Sequence, residues 1–134
     1  MGLDTINNIR DALLPIFEKY KSKVIFGYLF GSAAQKTGYP SRDVDIAVFL
    51  SGDGKKSAFD VKLSLYADFC RALKRNDVDV VVLNIAVNLM LLDEIVRYGV
   101  VLYDADPKAR EEFELKIQHQ AIDFKNQRLA IMGV

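Results

Sequence analysis

The sequence predicts an α/β domain, a mixed β-sheet of about four to five strands flanked by helices, and three observations carry that expectation. The chain has 134 residues, 51% of them hydrophobic, enough to enclose one core. Short runs of β-branched and aromatic residues alternate with stretches whose apolar positions recur at helical spacing. No linker, internal repeat or low-complexity segment divides the chain, so residues 1–134 are expected to form a single domain.

The elements follow in order. From Asp4 to Tyr20, the residues Ile6, Ile9, Leu13, Phe17 and Tyr20 share a helical stripe, with Asp4 or Thr5 as the cap. Pro15 lacks an amide donor and predicts a kink or a restart. Val24 to Phe30 is apolar on both alternating faces, as in a central strand covered on both sides. The strand stops at Gly31-Ser32, after which a tight turn and a short helix lead into the turn-forming TGYPS. Asp43 to Leu50 is a second strand, with Asp43, Asp45, Ala47 and Phe49 on one face. A helix capped by Ser57 and Asp60 runs to about Arg75 and is expected to bury Phe59, Leu63, Tyr66, Phe69, Cys70 and Leu73. Asp77 to Asn84 forms a third strand with the same alternation. A helix from about Val87 to Tyr98 then stops at Gly99. VVLY makes a last short strand, and Asp106-Pro107 opens a helix reaching about Ala130.

Composition removes several function classes. Basic and acidic side chains number 18 each, so no global positive field exists to hold a polynucleotide or an anionic membrane. One cysteine, Cys70, allows no internal disulfide and fits a reducing cytoplasm, and a single histidine, His119, is too little for an ordinary structural zinc site. No apolar run approaches the roughly 18 residues that span a bilayer, and the acidic, asparagine-containing start does not read as a signal peptide. The charge is nevertheless uneven: residues 1–42 carry +3 and residues 43–106 carry −4. Any function has to come from local charge.

Three features supply it. Gly31-Ser32 ends a buried strand and opens a short helix, where backbone amides and the Ser32 hydroxyl favour a phosphate. Asp43 and Asp45 stand two apart on one strand, so both carboxylates aim to the same side. Such a pair repels itself unless a cation intervenes, and hard oxygen ligands suit magnesium. Asp79, on the third strand, can supply a further carboxylate. Gly-Ser is a common turn and strand aspartates are ordinary on a wet face, so no element decides alone; together they imply metal-assisted phosphoryl or nucleotidyl transfer.

The segment LFGSAAQKTGYPSRDVDIAVF resembles the signature of the nucleotidyltransferase superfamily related to DNA polymerase beta: GS, about ten residues, then DxD. NDVDVVVLN is similar to the strand bearing the family's third acid, and RYGVVLYDADPKAREEFELKIQHQAIDFKNQR to its closing strand and helix. The length matches the minimal nucleotidyltransferases, abbreviated MNT. The resemblance implies that Gly31 and Ser32 bind a triphosphate, that Asp43 and Asp45 hold magnesium as part of a pair of ions, and that Asp79 joins one metal and helps deprotonate the acceptor hydroxyl, with Asp77 as its fallback. It further implies transfer of AMP from ATP to a tyrosine of a HEPN-domain toxin, with this chain as the antitoxin. Family members often carry a basic residue where this chain has Ala33 or Gln35; Lys36 and Arg42 are the nearby cations available to the triphosphate, and Lys36 equally suits a solvated helix end.

Two other readings stand beside this one: an antitoxin that neutralises its HEPN partner by binding alone, and a nucleotidyltransferase for a small-molecule hydroxyl. The last helix bears on the partner. Phe113, Ile117, Ala121 and Phe124 form one stripe and Leu115, Ile122 and Leu129 a roughly opposed one, which is either enclosed in a groove or covered by another subunit, of the same or a different kind. His119, between glutamines, is expected at the surface.

Overall fold

The computed structural model of the protein describes residues 2–34, 43–52 and 55–131. In chain order these form α1 (Gly2–Lys19), β1 (Val24–Phe30), one 3-10 turn (Gly31–Ala34), β2 (Val44–Leu50), α2 (Lys55–Leu73), β3 (Val78–Val82), α3 (Leu89–Tyr98), β4 (Val100–Asp104) and α4 (Pro107–Ile131). The strands make one mixed sheet in the order β3-β2-β1-β4. β1 is antiparallel to both β2 and β4, and β2 is parallel to β3.

Alternation along the strands divides the core. Val44, Ile46 and Val48 of β2 and Val78, Val80 and Val82 of β3 meet α1 and α2 through Leu13, Phe17, Leu65 and Phe69. Phe26, Tyr28 and Phe30 of β1 and Ala47 of β2 meet α3 and α4 on the opposite face through Leu92, Ile95 and Ile117. Each fully buried Leu or Phe stabilises the fold by roughly 1.5–3 kcal/mol, so this double covering holds the sheet. β1 is apolar on both faces for that reason, and so is β2 apart from Asp45 near its start. Among the described residues no helix is long and apolar enough to cross a membrane.

Several local expectations are revised. α1 begins at Gly2, placing Asp4 and Thr5 inside the helix rather than at its cap. It also runs unbroken through Pro15, because the loss of one backbone bond is outweighed by the burial of Ile6, Ile9, Leu13 and Phe17. α2 starts at Lys55, so Ser57 lies within the first turn, and it ends at Leu73, with Lys74 in the left-handed region at φ 55°. Its buried stripe is Ala58, Val61, Leu65 and Phe69. Phe59 and Leu63, predicted to be buried, are 54% and 51% exposed. α2 carries two apolar stripes, and the one with small residues near its start faces the sheet.

The other helix ends have local causes. The Asn88 side chain accepts from the Leu91 amide at 3.1 Å and caps α3. Gly99, the expected stop, has φ −69° and is not left-handed. Its need is for space, since a Cβ there would meet the Ile95 carbonyl oxygen and stand 3.3 Å from that of Leu29. Asp106 accepts from the Ala109 amide at 3.2 Å, as its capping position predicts. On α4, Ile117 and Ala121 are buried while Leu115, Ile122 and Leu129 are exposed; Phe124, expected with the buried stripe, is also exposed. His119 is exposed as expected.

Two polar clusters tie elements together. The Tyr28 hydroxyl donates to Glu114 at 2.7 Å, and Arg110 bonds Asp104 at 2.6 Å and Glu114 at 3.1 Å, joining β1, β4 and α4. Burial, then the neighbouring Glu114, pushes the Tyr28 phenol far above its ordinary value. Asp68 on α2 accepts from the Tyr20 hydroxyl at 2.7 Å and pairs with Lys19 at 3.0 Å and Arg71 at 3.3 Å. The Tyr20 hydrogen bond, more than these cations, holds the Asp68 carboxyl below the usual carboxylate range.

Candidate active site

β1 delivers Phe30 to one end of the sheet, and Gly31 turns the chain there with φ +70°. That conformation suits glycine, and a side chain would also run into the carboxylate of Asp45. Gly31 is therefore held against Asp45 by backbone geometry. The chain continues through the 3-10 turn, with Ser32 exposed and Ala33 and Ala34 buried.

Strand register assembles the acids. Phe30 pairs with Asp45 across β1 and β2, and Asp45 pairs with Asp79 across β2 and β3. Paired residues share a face, so Asp45 and Asp79 project to the side covered by α3 and α4. Asp43 is exposed one residue before β2, whose start is fixed by the Val44 amide donating to the Asp77 carbonyl at 2.9 Å. Burial first, then the charges of Asp79 and Asp43, raises the Asp45 carboxyl above its ordinary value.

Asp77 behaves differently. Arg75 donates to both its carboxylate oxygens, one at 2.6 Å, and chiefly that hydrogen bonding holds the Asp77 carboxyl below the usual carboxylate pKa range. Asp79 forms no such pair among the described residues and is the β3 acid in register with Asp45. The structure therefore brings Gly31, Asp45 and Asp79 together and sets Asp43 within electrostatic reach. Among the described residues no three acidic, histidine or cysteine side chains converge as a closed metal cage. The donor set is nonetheless all carboxylate, and the mutual repulsion at Asp45 is what a hard divalent cation would relieve. Lys36, Arg42 and Gln35 lie outside the described residues. Ala33 is buried, so its position offers no cation to a phosphate.

A pocket of about 190 Å³ opens beside Gly31, lined by Phe30, Gly31, Glu94, Tyr98 and Gly99. The sequence did not single out Glu94 or Tyr98. Their i, i+4 spacing, off the buried Leu92 and Ile95 positions of α3, was the available signal.

The family model of the polymerase beta nucleotidyltransferase domain matches residues 11–108, a span that includes Gly31, Asp43, Asp45 and Asp79. The chain belongs to this family. It is a nucleotidyltransferase, and its mixed sheet with helices on both faces is that fold. A search of curated proteins finds no match for this nucleotidyltransferase. Among solved structures it is similar to a mutant MntA–HpeT toxin–antitoxin, with TM-score 0.74, 25% identity and coverage of 92% of this chain and 95% of that one. A toxin–antitoxin solved with AMP-PNP matches at TM-score 0.73 and 27% identity, with the same coverage. A complex of tri-AMPylated HEPN toxin with MNT antitoxin from Shewanella oneidensis matches at TM-score 0.69 and 24% identity over 99% of this chain and 97% of that one, a likeness of fold.

Proposed function

We propose that this nucleotidyltransferase moves AMP from ATP to a tyrosine hydroxyl of a HEPN-type toxin partner and acts as its antitoxin. The observation that carries the reading is the register that sets Asp45 and Asp79 side by side against Gly31, with burial and like charge leaving Asp45 in want of a cation. Likeness to a toxin–antitoxin with AMP-PNP supports the nucleotide and the kind of partner.

In this reading Asp45 and Asp79, with Asp43 beside them, hold magnesium, which when bound supplies positive charge to the α-phosphate. Gly31 lets the triphosphate approach the backbone, and the exposed Ser32 hydroxyl donates to it. The acceptor oxygen forms the new bond to the α-phosphorus, the bond to the β-phosphate bridging oxygen breaks, and pyrophosphate leaves. Asp79, the more exposed of the registered pair, faces the arriving hydroxyl and takes its proton.

A second reading, neutralisation by binding alone, draws on Ala33 being buried where a basic residue would reach phosphate and on the absence of a closed metal cage among the described residues. One experiment separates the two. The protein, its candidate partner, magnesium and ATP labelled at the α-phosphate should yield a labelled partner, and Asp79→Asn should abolish both labelling and neutralisation. Neutralisation that survives Asp79→Asn with no label on the partner supports binding alone.

A further inference from the structure

α4 outruns the domain that it closes. Phe113, Ile117 and Ala121 set its first half against the sheet and α3, whereas every position from Ile122 to Leu129 is exposed. Two turns of helix standing in water are marginal by themselves, because nucleation is costly and most helical stability comes from packing an apolar face. This end of α4 calls for a cover.

A second apolar line runs along the outward side of the helix. Leu115, Ile122 and Leu129 recur every seven residues, close to two full turns, and are 54%, 48% and 48% exposed. Lys108, Glu111, Gln118 and Lys125 stand on the same side, with Glu111 toward the start of the helix and Lys125 toward its end. Among the described residues Glu111 has no ion pair. Lys125 has one long contact, 3.8 Å to Asp93, whose carboxylate Arg97 already holds at 2.9 Å.

We propose that this line is a self-association face, and that its occupant is α4 of a second copy of this chain laid antiparallel. The reason is the symmetry of the line about Gln118 and His119. Turned end for end there, Leu115 falls opposite Ile122, Glu111 opposite Lys125, and Leu129 over the aliphatic stem of Lys108, while the two Gln118 amides face each other at the centre. A two-fold axis makes each contact occur twice, so two Leu115–Ile122 layers and two Glu111–Lys125 ion pairs result. A parallel pair would instead set Glu111 on Glu111 and Lys125 on Lys125. The overlap from Lys108 to Leu129 is roughly 33 Å of helix with few apolar layers, which makes the dimer a weak one that forms with rising concentration. This assembly does not depend on the nucleotidyl-transfer reading.

The test is sedimentation velocity of the full chain over about a hundredfold range of concentration, across which the wild type should pass from monomer to dimer. Ile122→Glu should weaken the dimer by more than about tenfold, since it places a charge in each apolar layer. Glu111→Lys and Lys125→Glu should each weaken it about tenfold by creating two like-charge contacts, and an equimolar mixture of these two variants should recover wild-type affinity because every exchanged end then meets its opposite. Circular dichroism checks that these surface variants fold. A wild type that stays monomeric throughout overturns the proposal. A dimer undisturbed by Ile122→Glu lies on another face, and a mixture no tighter than either variant alone is not antiparallel; each result overturns it. A HEPN-type partner that binds the monomeric chain and is lost with Ile122→Glu assigns the line to that partner and overturns it too.

Discussion

Two groups of carboxylates in this molecule use the same residue types to opposite ends. Around Arg110, the acids Asp104 and Glu114 share one guanidinium, and the Tyr28 hydroxyl donates to Glu114. Asp68 likewise gathers Tyr20, Lys19 and Arg71. At the end of β2, Asp45 faces Asp79 and Asp43 without an ion pair among the described residues, and its carboxyl is raised where that of Asp68 is lowered. Compensated acids join elements of the fold. Asp45, half-buried beside a glycine that permits close approach and facing two like charges, stores a demand for positive charge that a bound cation would meet.

The sharpest way to break this comparison is Asp45→Asn. Transfer should fall by about a thousandfold, the scale for removing one electrostatic contributor to a transition state. The same variant should melt at a higher temperature near pH 7. The sign follows from the raised pKa: ionised Asp45 costs stability above its folded value, and the cost fades as pH falls toward the unfolded value of 3.8. A melting series from pH 4 to 8 should therefore show the gain of Asp45→Asn shrinking on acidification. A destabilised Asp45→Asn at neutral pH would place Asp45 among the compensated acids.

A smaller effect is expected at Arg110. Arg110→Gln leaves Asp104 and Glu114 without their cation in a half-buried setting, and urea denaturation should show a loss of about 2 kcal/mol, between exposed and buried pairs. Among the described residues one buried oxygen of Asp104 already lacks a hydrogen-bond partner, so losing Arg110 leaves its carboxylate exposed to the full cost of burial. Nucleotide affinity should be unchanged.

The smallest is Asp68→Asn, at about 1 kcal/mol near pH 7, since its cation partners are largely exposed. Its folded value lies below 3.8, so the stabilisation is present above that pH and lost as pH falls through the folded value. The wild type should thus show a steeper acid limb than Asp68→Asn, whereas Asp45→Asn should remove a contribution of the opposite slope.

Much of the candidate site was legible in linear order because strands convert spacing into direction. Asp43 and Asp45 two apart, and the alternation through Asp79, state which side chains share a face without reference to a neighbour. Asp77 and Asp79 could not be told apart that way, since both obey the same alternation; the Arg75 pair on Asp77 separates them. Glu94 and Tyr98 were silent because their relation to Gly31 depends on how the α3–β4 turn packs on the end of β1.

Helices show the limit most clearly. On α2 the apolar positions predict a buried side of Phe59, Leu63, Tyr66, Phe69, Cys70 and Leu73, whereas the structure buries Ala58, Val61, Leu65 and Phe69, so that Phe69 alone is common to both. The sheet takes the slimmer set, since close approach of helix to sheet lets Leu65 and Phe69 reach full burial. Pro15 likewise sits in an unbroken helix because its apolar neighbours are buried by elements distant in sequence.

The α/β class, the strands, the glycine turn and the pair of strand acids were already determined by the order of residues, because each depends on backbone preference and on a period of two or 3.6. The strand order, the face that each helix buries, the juxtaposition of Gly31, Asp45 and Asp79, and the pocket under α3 belong to the tertiary structure. They depend on which distant surfaces exclude water together, and no local period encodes that choice.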